Sequence, residues 1–277
     1  MPENLYHFTS VDAFLSMFKG YSKDNPFITL WASHSLFMND TSEYVYAEGI
    51  LRDIMNQFED EENVSEQESF AYIFQNRKSI FNIDAHKDIP YIVSLTRNVN
   101  SAALWDIYAR KGCGVAIEFD YDKILKLDTC SLRKCVYCRD SSDFLFDERL
   151  RFMLKNCYDY VVKMAPLEMG SFPAQVHAIR AYMMLSTLSP VIKNASYSYE
   201  EEYRLFSHED IVKFRTKGNL ILPYKEIKLP IDVIKRIIIG PCLDFEHVSF
   251  SVKMFLCYIT LENLSKNVVC SEIPYRG

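Results

Sequence analysis

A chain of 277 residues with 49% hydrophobic and 25% charged side chains carries enough apolar material for a full core without disulfide or metal staples, which excludes large-scale disorder. Of its 8 glycines, Gly112 and Gly114 are the one close pair, so GxxxxGK[ST], GxGxxG and GxSxG are absent, and P-loop NTPase, Rossmann and ordinary α/β-hydrolase patterns drop out. A net charge of −6 argues against a general nucleic-acid coat while permitting a local basic groove.

Leu5-Tyr6-His7-Phe8 reads as a short strand, and Ser10 caps a helix with Val11, Phe14, Leu15 and Phe18 on one face, ending at Gly20. Phe27 to Ala32 is a second strand, followed by a helix carrying Tyr44, Ala47, Leu51, Ile54 and Phe58. The acidic run Glu59 to Glu68 reads as a solvated loop, with Ser65 and Glu68 as a capping box for a helix bearing Phe70, Ile73 and Phe74. Ile89 to Thr96 is a buried strand, Ser101 to Ala109 a short helix and Val115 to Phe119 another strand. Helical patterns over 141–164 and 174–189, the second stopping at Ser189-Pro190, form an inserted helical layer at about 141–190. Tyr199 to Phe206, Leu220 to Leu222 and Ile234 to Ile239 follow as strands, the last closed by Gly240-Pro241, then a helix over Phe245 to Leu256 and a strand near Val268. Strands at both ends with helices between predict an α+β fold, as a single domain over 1–277.

Several stretches carry chemistry-bearing residues. Cys135 and Cys138 have no second CxxC and no HxxxH, so no metal site is expected, and the cysteines, mostly inside apolar segments, read as reduced and buried. Asn39-Asp40-Thr41-Ser42-Glu43 follows a strand and opens a helix; Asp40 and Glu43 have capping-box spacing, and Asn39 and Asp40 are also placed to bind ribose hydroxyls or an amide. Trp105 and Tyr108, three apart on one helix face, are either core aromatics or a stacking surface for a planar ring. In Tyr199 to Phe206, period two puts Glu200, Glu202 and Arg204 on one face and Tyr199, Tyr203 and Leu205 on the other, apolar face that fixes the strand in the core. The charged face is either a solvent-side charge ladder or an Arg-positioned pair of carboxylates suited to a positively charged transition state. His7, mid-strand, becomes a candidate ligand-binding group beside such a strand. Met1-Pro2-Glu3-Asn4 has no basic n-region and no apolar run reaches about 18 residues, so a cytoplasmic protein without membrane contact is expected.

The blocks LYHFTS at 5–10, NDTSE at 39–43, SLT at 94–96, LWDIYARKGCGVAIEF at 104–119 and YEEEYRLF at 199–206 resemble an uncharacterised bacterial domain family. Leu5 to Phe18 also resembles the opening of ADP-ribosyltransferases of the DNA-modifying toxin type, which end with a Glu-bearing strand. That resemblance implies a split, mostly antiparallel sheet with surrounding helices, and NAD as substrate without a metal. It gives His7 to the NAD ribose, Trp105 or Tyr108 to the nicotinamide pocket, Glu202 to catalysis and Glu200 to an accessory carboxylate completing a Glu-x-Glu, with Thr9 and Arg204 as further candidate cofactor-binding residues. The superfamily's middle Ser-Thr-Ser or Tyr strand has no clean counterpart here, Ser94-Leu95-Thr96 being a loose match to it.

An NAD-consuming transferase of the toxin or phage-defence kind is therefore the leading expectation, with a nucleotide ligand and a protein or nucleic-acid acceptor. A binding module using the same cleft is the alternative. A metal-dependent nuclease built on Asp40, Glu43, Glu118 and Glu202 is the third.

Overall fold

In the computed structural model, the described residues are 4–38, 42–62, 90–145, 152, 156, 188–241 and 244–274. They form two compact units. The first comprises Met1–Ser33, Tyr91–Lys134 and Tyr199–Gly277, and the second His34–Pro90 and Cys135–Ser198.

The first unit is built on strands β1 (Asn4–Thr9), β2 (Phe27–His34), β3 (Tyr91–Thr96), β4 (Val115–Asp120) and β5 (Cys130–Lys134). After the second unit's β6 (Val136–Cys138) and β7 (Ile192–Asn194) come β8 (Glu202–Ser207), β9 (Lys213–Lys217), β10 (Leu220–Pro230), β11 (Ile234–Ile239) and β12 (Val268–Cys270). Ten of these make one open sheet in the order β12-β11-β4-β1-β3-β2-β10-β9, with β8 pairing β3 and β5 off that path. The registered pairs are antiparallel except β11 with β12. The fold is thus mixed α and β, as strands at both ends with helices between predict, and its open sheet is mostly antiparallel.

Four of the five α-helices described in this unit start where a side chain supplies the missing acceptor. Ser10 caps α1 (Val11–Met17), Ser101 caps α3 (Ala102–Tyr108), Asp120 caps α4 (Tyr121–Ile124) and Asp244 caps α6 (Phe245–Tyr258). The last helix, α7, is Glu262–Ser265. On α1 the buried residues are Phe14, Met17 and Phe18, whereas Val11 and Leu15 are exposed, so the buried stripe is rotated from the expected one.

Two apolar clusters occupy the two faces of the sheet. On one, Leu5, Leu95, Ile117, Phe119, Tyr203 and Leu205 pack with Phe14 and Phe18 of α1 and Val252 and Leu256 of α6. On the other, Tyr6, Phe8, Ala116 and Ile238 pack with Leu104, Trp105 and Ala109 of α3. The period of two along β1 divides these sets, sending Leu5 one way and Tyr6 and Phe8 the other.

In the second unit, β6 runs parallel to β7. Helix α2 (Ser42–Glu62) buries Ala47, Ile50, Leu51 and Ile54, and continues through Glu59–Glu62, which the sequence suggested as loop. Glu43 pairs with Lys193 at 3.8 Å, and the Tyr46 hydroxyl donates to the Cys138 carbonyl. Helix α5 (Ser141–Leu145) and a 3-10 turn over Ser189–Val191 are the described parts of the expected helical layer. The proposed helix with Phe70, Ile73 and Phe74 and most of 141–190 lie outside the described residues. Cys130, Cys135 and Cys138 are buried free thiols, and burial pushes the Cys138 thiol up to about 11. Cys113, Cys257 and Cys270 are exposed, contrary to the buried reading.

Candidate functional site

Strands β1 and β3 share one registered pair, Tyr6 with Thr96, and no further pairing of these two strands is recorded among the described residues. A cleft lies there, enclosing about 410 Å³ of empty space that includes open solvent. Tyr6, His7 and Phe8 line it from β1, Ser94, Leu95 and Thr96 from β3, Leu104 and Tyr108 from α3, and Glu200 and Glu202 from the approach to and start of β8.

The Glu200 to Arg204 stretch departs from the expected strand. A 3-10 helix spans Ala195–Glu200, and Glu201 takes φ +42° before β8 begins at Glu202. Glu200 therefore reaches the cleft through a left-handed kink rather than by alternation with Glu202. Hydrogen bonds from the end of β3 and the residues after it hold that kink. The Thr96 hydroxyl donates to the Glu200 carbonyl, the Arg97 N–H to the Glu201 carbonyl at 3.2 Å, and the Asn98 amide to the Tyr199 carbonyl at 2.9 Å. Tyr199, expected on the core face, is exposed instead.

Glu200, Glu202 and Arg204 are 5%, 4% and 2% exposed, which overturns the reading of this face as a solvated charge ladder. Arg204 forks onto Glu202, Nε to Oε1 at 2.9 Å and a terminal nitrogen to Oε2 at 3.1 Å. Such a bidentate bond fixes the carboxylate plane. The Tyr108 hydroxyl donates to Glu200 Oε1 at 3.2 Å, tying α3 to the same wall.

His7 registers with Ile117 and shares its sheet face with Leu5, opposite in period from Tyr6 and Phe8. Its Nδ1 lies 3.0 Å from the Ser94 carbonyl across the β1–β3 cleft. Because a carbonyl only accepts, Nδ1 carries the proton in the neutral ring and Nε2 is left as an acceptor. Burial holds the pKa of His7 below the ordinary value of 6.5, with the Ser94 hydrogen bond opposing it.

Among the residues proposed from sequence, His7, Tyr108, Glu200 and Glu202 thus meet at one cleft. Arg204 is absent from the lining and bonds Glu202 from beside it. Trp105 is 0% exposed, its indole N–H donating to Val99 O at 3.0 Å and its ring edge-on to Phe8 at 4.8 Å. It packs in the core and does not line the cleft, because the side chain is fully enclosed and its one donor is engaged by the fold. Thr9 is buried opposite Val115 and is likewise absent from the lining. Asn39 and Asp40 lie outside the described residues. Tyr6 and Phe8 line the cleft without having been singled out, although their alternation against Leu5 along β1 was readable.

Glu118, one member of the proposed nuclease set, is held by Arg236 and Asn4. Its register partner is Tyr6. Among the described residues no group of three or more His, Cys, Asp or Glu side chains is placed to hold a metal ion.

Residues 104–205 match a family described as "Protein of unknown function (DUF2971)". The matched stretch runs from α3 into β8 and so contains Tyr108, Glu200, Glu202 and Arg204. No curated protein and no solved structure matches the chain. No helix among the described residues is long and apolar enough to cross a membrane.

Proposed function

We propose that the protein is an ADP-ribosyltransferase-like enzyme that consumes NAD, with the nicotinamide–ribose end of the substrate in the β1–β3 cleft. The observation that carries this reading is the convergence of two buried carboxyl groups, Glu200 and Glu202, on a cleft walled by Tyr6, Phe8 and Tyr108. Breaking the nicotinamide–ribose bond sends its electron pair to the departing nicotinamide and leaves an oxocarbenium-like ribose carbon. A fixed carboxylate stabilises that charge electrostatically in a partly water-excluded site.

Glu202, oriented by Arg204, takes the stabilising role. Glu200 accepts the proton of the incoming nucleophile, a water or a hydroxyl or amine of a protein or nucleic-acid acceptor. His7 Nε2 accepts a hydrogen bond from a ribose hydroxyl, and the Tyr108 ring borders the nicotinamide. A toxin or phage-defence effector would use such chemistry.

A second reading is a nucleotide- or protein-binding module, favoured by the Arg204 fork, which engages both oxygens of Glu202. The two readings separate when binding and turnover are followed in one variant. Glu200→Gln is expected to keep a thermal shift with NAD while losing about 10²–10⁴-fold in turnover. A wild-type protein that is stabilised by NAD yet forms no product supports the binding module instead.

A further inference from the structure

At one end of the ten-stranded sheet, β2, β10 and β9 form a ribbon in which β9 is the terminal strand. Register places Glu226 opposite Trp31, Lys228 opposite Thr29, Leu222 opposite Arg215 and Leu220 opposite Lys217, while Tyr224 is opposite both Ser33 and Lys213. Facing pairs and alternate residues share a face. Lys213, Arg215, Lys217 and Lys228 therefore lie on the face of Trp31, and Glu226 is the one carboxylate that these three strands contribute to it.

Glu226 pairs with Lys213 at 2.8 Å, and Glu209, just before β9, also acts on Lys213. These three strands thus bring four cations and one carboxylate to this face, in a chain whose net charge is −6. The Trp31 indole is 41% exposed although it sits mid-strand. Arg215 lies 5.4 Å from its ring centroid and 6.0 Å from that of Tyr224, with a terminal nitrogen on Ser33 Oγ at 3.0 Å. Its Nε is buried without a hydrogen-bond partner, so the guanidinium is held chiefly by rings.

We propose that this face binds single-stranded nucleic acid, with Trp31 stacking on an unpaired base and Arg215, Lys217 and Lys228 contacting the phosphates. Charge complementarity and an exposed ring beside cations are the two features such sites combine, since phosphates supply affinity and every base has a stackable face. A duplex hides its base faces and leaves Trp31 without a partner. An acidic peptide satisfies the cations without supplying a stackable ring at every unit, as a single strand does. The proposal is independent of the NAD reading.

The test is fluorescence anisotropy of a labelled oligothymidylate titrated with full-length protein, with a duplex of mixed sequence and heparin as competitors. Wild type is expected to bind the single strand in preference to both. Trp31→Ala is expected to weaken binding about tenfold or more at unchanged salt. Lys217→Gln and Lys228→Gln, both at exposed positions, are each expected to lower the salt slope by about 0.7 while their thermal unfolding stays that of wild type. These two variants keep the test decisive if Trp31→Ala misfolds. Absence of binding, equal binding of duplex or heparin, or variants indistinguishable from wild type would overturn the proposal.

Discussion

Glu202 and Arg204 lie two apart on β8, both nearly inaccessible and joined by two charge-assisted hydrogen bonds. Removing one charge of such a pair strands the other in a low-dielectric interior. Glu202→Gln is therefore expected to cost about 3–5 kcal/mol in urea unfolding, so lost activity in that variant would confound fold with chemistry. Glu200→Gln keeps an acceptor for Tyr108 and is expected to stay within about 1 kcal/mol of wild type, which makes it the informative substitution. His7 gives a pH signature at the same scale. Its folded pKa lies below the ordinary 6.5, so the unfolded chain binds the extra proton more readily. The stability this group contributes is complete above about 6.5 and is lost as pH falls through that value toward the folded pKa. His7→Asn is expected to flatten the fall of thermal stability between neutral and acid pH; an acid limb identical to wild type would show that His7 does not carry it.

At the scale of elements, the kink before β8 places Glu200. A glutamate at φ +42° occupies the left-handed region, where its Cβ crowds the following carbonyl, at a cost of about 1–2 kcal/mol. Glu201→Gly is expected to raise stability by up to about 1 kcal/mol, since relief of that crowding outweighs the entropy glycine adds to the unfolded chain. Gly240→Ala runs the opposite way, because its added Cβ would meet the backbone of Gly112 and Gly114, and a loss of about 1–3 kcal/mol is expected in the same unfolding measurement. The kink also marks where sequence reasoning stopped. Ser10, Ser101 and the strands β1, β3, β4 and β11 were legible because capping and apolar content are local signals. Tyr199-Glu200-Glu201-Glu202 alternates like a strand, and the tertiary hydrogen bonds from Thr96, Arg97 and Asn98 that turn it into a 3-10 segment leave no local trace. Strand β9, Lys213–Lys217, went unread for a different reason: it is a polar, cation-rich edge, the composition by which exposed edges avoid aggregation. Trp105 and Tyr108 show the limit of spacing, which placed both on one helix face but could not tell the core ring from the one at the cleft.

Over the whole molecule, the site depends on long-range assembly. His7, Ser94, Tyr108 and Glu200 come from four separated stretches that meet because β1 and β8 both pair with β3. Two apolar clusters, one on each sheet face, hold those strands, and the cleft opens beside the cluster containing Trp105. Damage to that cluster should act on both stability and binding: Trp105→Ala is expected to cost about 3–5 kcal/mol and to abolish the thermal shift with NAD. The most direct trial of the proposed chemistry is release of nicotinamide from NAD by purified protein in a chelating buffer, beside Glu200→Gln at equal folded concentration. Release by wild type that falls at least a hundredfold in the variant is the expected result. Release that is equal in the two proteins would contradict the assignment of Glu200, and no release with or without candidate acceptors would contradict the transferase itself.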